Sequence, residues 1–353
     1  MPSVPNPSTA PRVALDPQDM HAAIAAFPDH LREGWRRGGA ADAFDLSPDR
    51  YDGVLVCGMG GSAIGGDLLR TLGEAEAPVP IQVVRGYRLP AWVGDRTLVV
   101  ASSYSGGTEE TLSAFADARQ RGAARLVVAS GGALMEQADA EGLPRIAIPG
   151  GLQPRAALGY SLGVLLRLGR SLGLVELPDA TVDAAADEAS LRARRYAEGG
   201  DARDLAGALH GTLPVVYSGN GLLEAVNLRW RNQLHENAKT LAYGNLFPEL
   251  NHNEIVGFEA TPSEVMQRVA VVALRDREDH PQVQRRFDVT REIVEPRVAG
   301  WHEVEAVGQS RLGRVLSLLQ LGDWVSYWLA MAQEVDPTPV ESIQRLKATL
   351  ARA

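Results

Sequence analysis

The sequence has a single cysteine, Cys57, so no disulfide bond can form within the chain. Cys57 ends an apolar, strand-like run, where burial is expected rather than reactivity. No stretch approaches the roughly 18 unbroken apolar residues of a membrane-spanning helix. The N-terminus has neither the basic nor the apolar segment of a secretion signal. These absences predict a protein of the reducing cytoplasm that does not have a membrane as its partner.

Lysine is the second scarce residue, because only Lys239 and Lys347 are lysines among 35 basic residues. The formal net charge is −9, which argues against a diffuse nucleic-acid-binding surface. An anionic ligand would therefore need local positive charge or uncharged donors. Lysine, unlike arginine, can lose its proton, so the two lysines are either functional or survivors by chance.

The chain is rich in alternating strand-like and helical segments. Apolar strand-like runs begin near residues 53, 80, 97, 124 and 145, and again near 213, 268 and 303. Such runs alternating with helices are typical of parallel strands buried on both faces. The sequence therefore predicts an α/β fold with two doubly wound parallel-sheet domains, a helical connector and a C-terminal helix.

The same pattern predicts where the domains lie. A proline-rich, disordered tail is expected over 1–17, and the first domain, which binds phosphate, over 18–180. The connector and second domain are expected over 181–335, and a C-terminal segment that carries Lys347 over 336–353.

Two glycine-rich turns of the first domain offer donors without charge. Residues 101–111 read A-S-S-Y-S-G-G-T-E-E-T, and residues 58–62 read G-M-G-G-S. Serine, threonine and glycine are ordinary turn and helix-capping residues. No acidic residue ends the strand after 58–62, as a dinucleotide site requires, and no Walker lysine follows. The turns instead predict a seat for one phosphate monoester, formed by Ser62, Ser103, Ser105 and Thr108.

An ordered set of motifs resembles the bifunctional phosphoglucose/phosphomannose isomerases, which are built of two sugar-isomerase (SIS) domains. The motifs are G-M-G-G-S at 58–62, S-Y-S-G-G-T-E-E-T at 103–111, P-R at 154–155, E-N-A-K at 236–239, N-H-N-E at 251–254 and the lysine at 347. The resemblance extends over nearly the whole chain from about residue 18. Gly107 and His235 depart from it, since the family pattern leads us to expect asparagine at both positions.

The resemblance implies a role for each matching residue. Phosphate recognition falls on Gly61, Ser62, Ser103, Ser105 and Thr108. The catalytic residues it implies are Glu236 as the proton-transfer base, His252 and Lys347 for opening the sugar ring, and Arg155 for support of the enediolate. It also implies a homodimer with a shared active site, in which His252 comes from the partner subunit.

Aldose–ketose isomerisation needs groups of these types. A carboxylate moves a proton between C2 and C1 through a cis-enediol, and an imidazole with a near-neutral pKa is suited to ring opening. An arginine stabilises the negative charge that develops on oxygen. The reaction requires no metal and no redox cofactor, and the sequence contains no His/Cys cluster that would bind a metal.

Each candidate also has a structural interpretation. A charge on a helix is usually solvated, which applies to Glu236 and Lys347, and a lone loop arginine such as Arg155 is usually solvated too. His252 lies in a loop-like stretch and is the better functional candidate from the residues alone. Lys239, three positions after Glu236 on one helix, is interpreted as its ion-pair partner.

Some assignments stay open. Glu249 and Glu254 remain alternative bases or supporting residues beside His252. His235 is interpreted as structural, because a helix splays it from its neighbour by roughly 100°. Thr338 is a candidate to approach the sugar, but the sequence assigns it no role.

Three candidate functions follow, and the first two are from different classes. The first is an isomerase that interconverts glucose 6-phosphate, and by the resemblance mannose 6-phosphate, with fructose 6-phosphate. The second is a non-catalytic SIS-domain protein that binds sugar phosphates and regulates a partner, which would need the hydroxyl turns but not Glu236, His252 and Lys347 together. A third, an enzyme that forms glucosamine phosphate, would need a glutaminase domain or a supply of ammonia, and the sequence shows no N-terminal nucleophilic cysteine. The epimer preference and the pathway, whether glycolysis, gluconeogenesis or mannose supply, are not determined.

Overall fold

The computed structural model describes residues 12–44 and 46–350. Within them the strands form two parallel sheets, with the orders β2-β1-β3-β4-β5 and β7-β6-β8-β9. The strands of the first sheet are β1 (Gly53–Cys57), β2 (Ile81–Val84), β3 (Thr97–Ser103), β4 (Ala124–Ala129) and β5 (Arg145–Ala147). Those of the second are β6 (Leu213–Gly219), β7 (Tyr243–Phe247), β8 (Val269–Arg275) and β9 (Gly300–Glu305). The predicted pair of doubly wound domains is confirmed.

Helices connect the strands and cover both sheets. They are α1 (Arg12–Leu15), α2 (Met20–Ala25), α3 (Phe27–Gly38), α4 (Gly60–Gly73), α5 (Glu109–Gln120), α6 (Gly132–Glu141), α7 (Leu158–Ser171), α8 (Asp179–Ala197), α9 (Gly200–Leu209), α10 (Glu224–Glu236), α11 (Glu254–Ala260), α12 (Ser263–Met266), α13 (Pro281–Val294), α14 (Arg311–Ala332) and α15 (Glu341–Leu350). Short 3₁₀ turns lie at Gly39–Ala43, Pro48–Arg50, Pro154–Ala157 and Glu249–His252.

The central strands of the first sheet are buried throughout, as their unbroken apolar sequence predicts. Every residue of β1 and β3 is buried, and Val56 pairs with Val100 in the register of the two strands. Parallel strands with helices on both faces have no wet side, which explains why the apolar runs do not alternate with polar residues.

Helix α14 joins the two halves into one core. Its aromatic residues Trp324, Tyr327 and Trp328 are buried, and one apolar cluster contains them together with residues of both sheets. The strongly apolar composition of this helix is typical of a core or of a dimer seam. It lies in the core of the chain, packed against α8, α9 and α10.

Helices α4 and α10 lie antiparallel against each other. Arg70, late in α4, pairs with Glu224, the first residue of α10, at 3.0 Å. The start of α4 correspondingly lies near the end of α10. This arrangement brings the turn at 58–62, which follows a strand of the first sheet, close to Glu236, which ends a helix of the second domain.

Two predicted segments differ from the structure. Residues 1–11 of the predicted tail lie outside the described residues, but Asp16 is buried and its carboxylate accepts from the backbone N–H groups of Met20 and His21 at 2.8 and 2.9 Å. The predicted helical connector is divided into α8 and α9 at Gly199 and Gly200, which have φ values of 119° and 53° that favour glycine.

A close crossing of α3 and α7 fixes the helix that follows Arg155, and it depends on glycine. A Cβ at Gly163 would lie 2.4 Å from the oxygen of Leu31 and 2.5 Å from the nitrogen of Trp35. Both are backbone atoms, so the helices would have to separate.

We expect Gly163→Ala to lower the free energy of unfolding by about 1–3 kcal/mol, because overpacking outweighs the gain in helix propensity. Urea unfolding followed by circular dichroism measures the change. Gly39→Ala is the control, since a Cβ at Gly39 meets nothing within 4 Å. Equal stability of the two variants would contradict the prediction.

Candidate active site

The two glycine-rich turns meet at the carboxyl end of the first sheet. Cys57 and Ala101 are paired in the parallel register of β1 and β3, so the turns that follow them are neighbours. The hydroxyl of Ser62 accepts from the backbone N–H of Tyr104 at 3.1 Å. The hydroxyls of Ser103 and Thr108 are 2.9 Å apart. The three hydroxyls and the N–H of Tyr104 therefore form one polar patch.

This patch has the features of an anion site. Ser62 and Ser103 are buried, and α4 and α5 both begin here without a side-chain cap within the described residues. Free backbone N–H groups at the starts of helices bind anions. Ser105 lies at the exposed rim, where its Oγ accepts from the N–H of Gly107 at 3.3 Å.

Gly106 and Gly107 in the second turn differ in whether a larger side chain would fit. A Cβ at Gly106, whose φ is 65°, would lie 1.8 Å from the oxygen of Gly131, so this position accepts only glycine. A Cβ at Gly107 would meet nothing within 4 Å. The departure from asparagine at Gly107 therefore leaves open space and does not relieve a clash.

Arg155 lies directly beside the first turn. A Cβ at Gly61 would be 3.0 Å from the oxygen of Pro154 and 3.5 Å from Cα of Arg155, which explains the glycine. Arg155 is only 2% exposed, and burial lowers the pKa of its guanidinium. Its Nη2 donates to the carbonyl oxygens of Pro337 and Thr338 at 2.7 and 2.8 Å.

Glu236 lies on the other side of the arginine. It is the last residue of α10, its side chain is 29% exposed, and Oε2 is 3.4 Å from Nη1 of Arg155. The structure thus brings together Gly61, Ser62, Arg155 and Glu236. One arginine side chain separates the backbone of the anion patch from the carboxylate.

Lys239 is a residue of this region whose place the sequence did not predict. It was interpreted as an ion-pair partner of the Glu236 carboxylate, but its Nζ donates to the main-chain oxygens of Glu236 at 2.6 Å and of Pro337 at 3.1 Å. Burial, together with the nearby charge of Arg155, lowers the pKa of Lys239 to about 8. The signals for it in the sequence were the scarcity of lysine and the E-N-A-K motif at 236–239.

Thr338 also lies in this region. It is 2% exposed, and its Oγ1 has no hydrogen-bond partner among the described residues. Its backbone N–H donates to Oδ1 of Asp336 at 2.8 Å. An unpaired buried hydroxyl beside Arg155 is a group that a polar ligand would satisfy.

His252 does not lie beside Glu236 in the same chain. It is exposed and follows β7, whose last residue Phe247 accepts from the N–H of Asn220, just before the start of α10. Glu236 is at the far end of this 13-residue helix, which is about 20 Å long.

Lys347 lies on α15, all ten residues of which are exposed. Glu249 and Glu254, the alternative bases, are bound within their own loop region. Glu249 accepts from Asn253 at 2.8 Å, and Glu254 accepts from Tyr217 and from Asn245. His235 contacts Ala242, with its Nε2 3.1 Å from the backbone nitrogen of that residue.

Metal and membrane features are reported for the described part of the chain alone. There, no group of three or more His, Cys, Asp or Glu residues is placed to hold a metal ion. None of the helices over these residues has the length and apolar character needed to cross a bilayer.

Comparison with known proteins identifies the chain as a member of a family. The model of the bacterial phospho-glucose isomerase C-terminal SIS domain matches residues 198–350. The chain is 42% identical to the bifunctional phosphoglucose/phosphomannose isomerase of Caldicellulosiruptor bescii over 337 residues, covering 94% of this chain and 99% of the relative. It is 38% identical to the enzyme of that name from Aquifex aeolicus, covering 88% and 93%.

The fold is shared more widely than the sequence. The C-terminal domain of glucosamine-fructose-6-phosphate aminotransferase from Francisella tularensis superposes with a TM-score of 0.64 at 15% identity, covering 91% of this chain and 98% of that domain. This match supports the two-domain SIS architecture. With relatives that are similar along nearly its whole length, the chain belongs to the bifunctional phosphoglucose/phosphomannose isomerase family.

Proposed function

We propose that the protein interconverts glucose 6-phosphate and mannose 6-phosphate with fructose 6-phosphate through a cis-enediol intermediate. This proposal rests on one observation: the buried Arg155 lies between a patch of uncharged donors that suits an anion and the Glu236 carboxylate. The relatives named as bifunctional isomerases support the choice of substrates.

The phosphate end of the substrate binds at the first domain. The hydroxyls of Ser62, Ser103, Ser105 and Thr108 and the free N–H groups at the starts of α4 and α5 hold the phosphate without a cation. Such neutral donors match a dianion through several hydrogen bonds, each strengthened by the charge of the ligand.

The carbonyl end of the sugar lies at Glu236. Its carboxylate takes the proton from C2 and returns it to C1, while the hydroxyl proton is lost from O2 and O1 gains one, so that the carbonyl moves from C1 to C2. The reverse reaction runs the same transfers backwards, and the net charge of enzyme and sugar is restored after each turnover. While the proton is on Glu236, negative charge develops on the enediolate oxygen. The Nη1 group of Arg155 is next to this position and stabilises that charge.

Two further groups extend the site. Lys239 adds positive charge near Glu236 while it is protonated, which its pKa of about 8 allows below that pH. The unpaired hydroxyl of Thr338 is available to a sugar hydroxyl. Ring opening is assigned to His252 and Lys347, which exchange protons with the ring oxygen and the anomeric hydroxyl.

We further propose a homodimer in which His252 reaches the active site of the partner subunit. Its separation from Glu236 by the length of α10 supports this. Exposed apolar residues flank it in the sequence, with Leu241 65%, Tyr243 57% and Val256 58% exposed. Exposed apolar groups of this kind mark interaction surfaces when they cluster.

The exposed helix α15 supports the same assembly. Ile343, Leu346 and Leu350 recur on one face at helical spacing and are 41%, 59% and 58% exposed. A partner subunit that covers this face would also cover the helix that carries Lys347.

The single, buried cysteine fits a cytoplasmic enzyme, which completes the proposal.

A non-catalytic sugar-phosphate sensor is not favoured. It would explain the anion patch, but it gives no reason for a carboxylate, a buried arginine and a low-pKa lysine at the other end of the ligand.

The first test concerns the proton carrier. We expect Glu236→Gln to lower kcat by at least about 100-fold with glucose 6-phosphate and with mannose 6-phosphate, because an amide cannot take up the proton. A coupled assay for fructose 6-phosphate measures the rates. Glu224→Gln, at the other end of α10, is the control and should keep its activity. Full turnover by Glu236→Gln would refute the assignment.

The second test concerns Lys239. Because the chain has two lysines, protein labelled with ¹³C at lysine Cε gives two signals, and Lys347→Arg assigns them. We expect the Lys239 signal to titrate with a pKa of about 8, with the ammonium charged below that pH and neutral above it. Titration of Lys239 near the ordinary lysine value would show that its ammonium is not desolvated.

The third test concerns the shared site. Heterodimers of Glu236→Gln and His252→Ala subunits, isolated by two different affinity tags, retain one site with both native residues. We expect about half of wild-type activity in these heterodimers, while each homodimer is inactive. If both residues act within one chain, the heterodimers will be as inactive as the homodimers.

A further inference from the structure

Asn237, which directly follows Glu236, is buried between the arginine and the core. It is 0% exposed. Its Oδ1 accepts from Nε of Arg155 at 2.6 Å, and its Nδ2 donates to Oγ of Ser326 on α14 at 3.0 Å. The amide therefore links the arginine to a helix of the core.

The hydrogen-bond network fixes the orientation of this amide. Ser326 donates its own hydroxyl proton to the carbonyl oxygen of Asp323 at 2.7 Å, so its oxygen faces Asn237 as an acceptor. The group of Asn237 that points to Ser326 must then be the NH₂ group, which turns the carbonyl oxygen toward Arg155. A neutral side chain with an acceptor on one side and a donor on the other meets both requirements.

The same contacts decide which edge of the arginine is free. Nε is bound by Asn237, and Nη2 is bound by the carbonyl oxygens of Pro337 and Thr338. The guanidinium is rigid and planar, so these three bonds also fix Nη1. Nη1 remains for Glu236 and for the substrate.

We propose that Asn237 is a positioning residue that holds the Nη1 edge of Arg155 toward the reacting carbons of the sugar. This inference rests on the proposed isomerase function. Asn237 does not touch the substrate and acts through Arg155. Because it is neutral, it holds the arginine without cancelling the charge that the enediolate needs.

The test compares Asn237→Leu, which removes the acceptor, with Asn237→Asp, which keeps it and adds a charge. Charged groups that surround this position are Arg155, Glu236 and Arg229 on α10, Lys239 just after that helix, Asp323 on α14 and Asp336. We expect Asn237→Leu to lower kcat by about 100-fold, as for loss of one oriented donor, with KM changed by less than about threefold.

Asn237→Asp places a carboxylate near Glu236, so the acid limb of the kcat/KM profile of the folded variant should shift to higher pH. The matched control is Asn227→Asp, at a buried asparagine within α10 whose Oδ1 also accepts from an arginine Nε, that of Arg231 at 3.0 Å. It lies ten residues away and should leave kcat and the acid limb unchanged.

Two results would overturn the proposal: normal kcat in Asn237→Leu, or an acid limb of Asn237→Asp that does not move. If Asn237→Leu does not fold, the pH profile of Asn237→Asp decides. If the wild type turns over the substrate and the Asn237 variants behave like it, only this inference is refuted. No turnover by the wild type refutes the proposed function, and the positioning role with it.

Discussion

The burial of one guanidinium, that of Arg155, is the constraint around which the two halves of the chain are arranged. A buried cation needs acceptors to replace its lost water, and the chain supplies them from Asn237, Pro337 and Thr338. The carbonyl oxygen of Arg155 in turn accepts from Arg229, which is paired with Asp323 at 2.9 Å inside the core. The first domain supplies the cation and the second half of the chain supplies its partners, so the site forms only when both halves are packed together.

Much of the fold was predictable because its signals are local. The apolar runs of β1 and β3 carry their burial in their own composition, and the glycine-rich turns after them announce helix starts. Strand β7 was missed, since Gly244 and Asn245 break the apolar pattern and the strand is at the edge of its sheet. An edge strand is only half covered, so its sequence has less need to be apolar.

The site was predictable only for residues that belong to a recognisable sequence motif. Ser62, Ser103 and Thr108 belong to turns whose chemistry is visible in the sequence. The place of Lys239 was not, because it depends on how the chain leaves α10, where Lys239 has a φ of 55° and its side chain turns back over the helix end. The contact of Thr338 with Arg155 joins residues 183 positions apart, which no local pattern encodes.

The exposed C-terminal helix has a consequence for the order of the chain itself. A helix of ten residues with none buried lacks the tertiary packing that keeps short helices folded in water. Its coil-to-helix balance must then depend on whatever covers Ile343, Leu346 and Leu350. If a second copy of the chain covers them, α15 loses its conformational entropy only when the subunits associate. The fraction of α15 that is helical would then rise with the concentration of subunits.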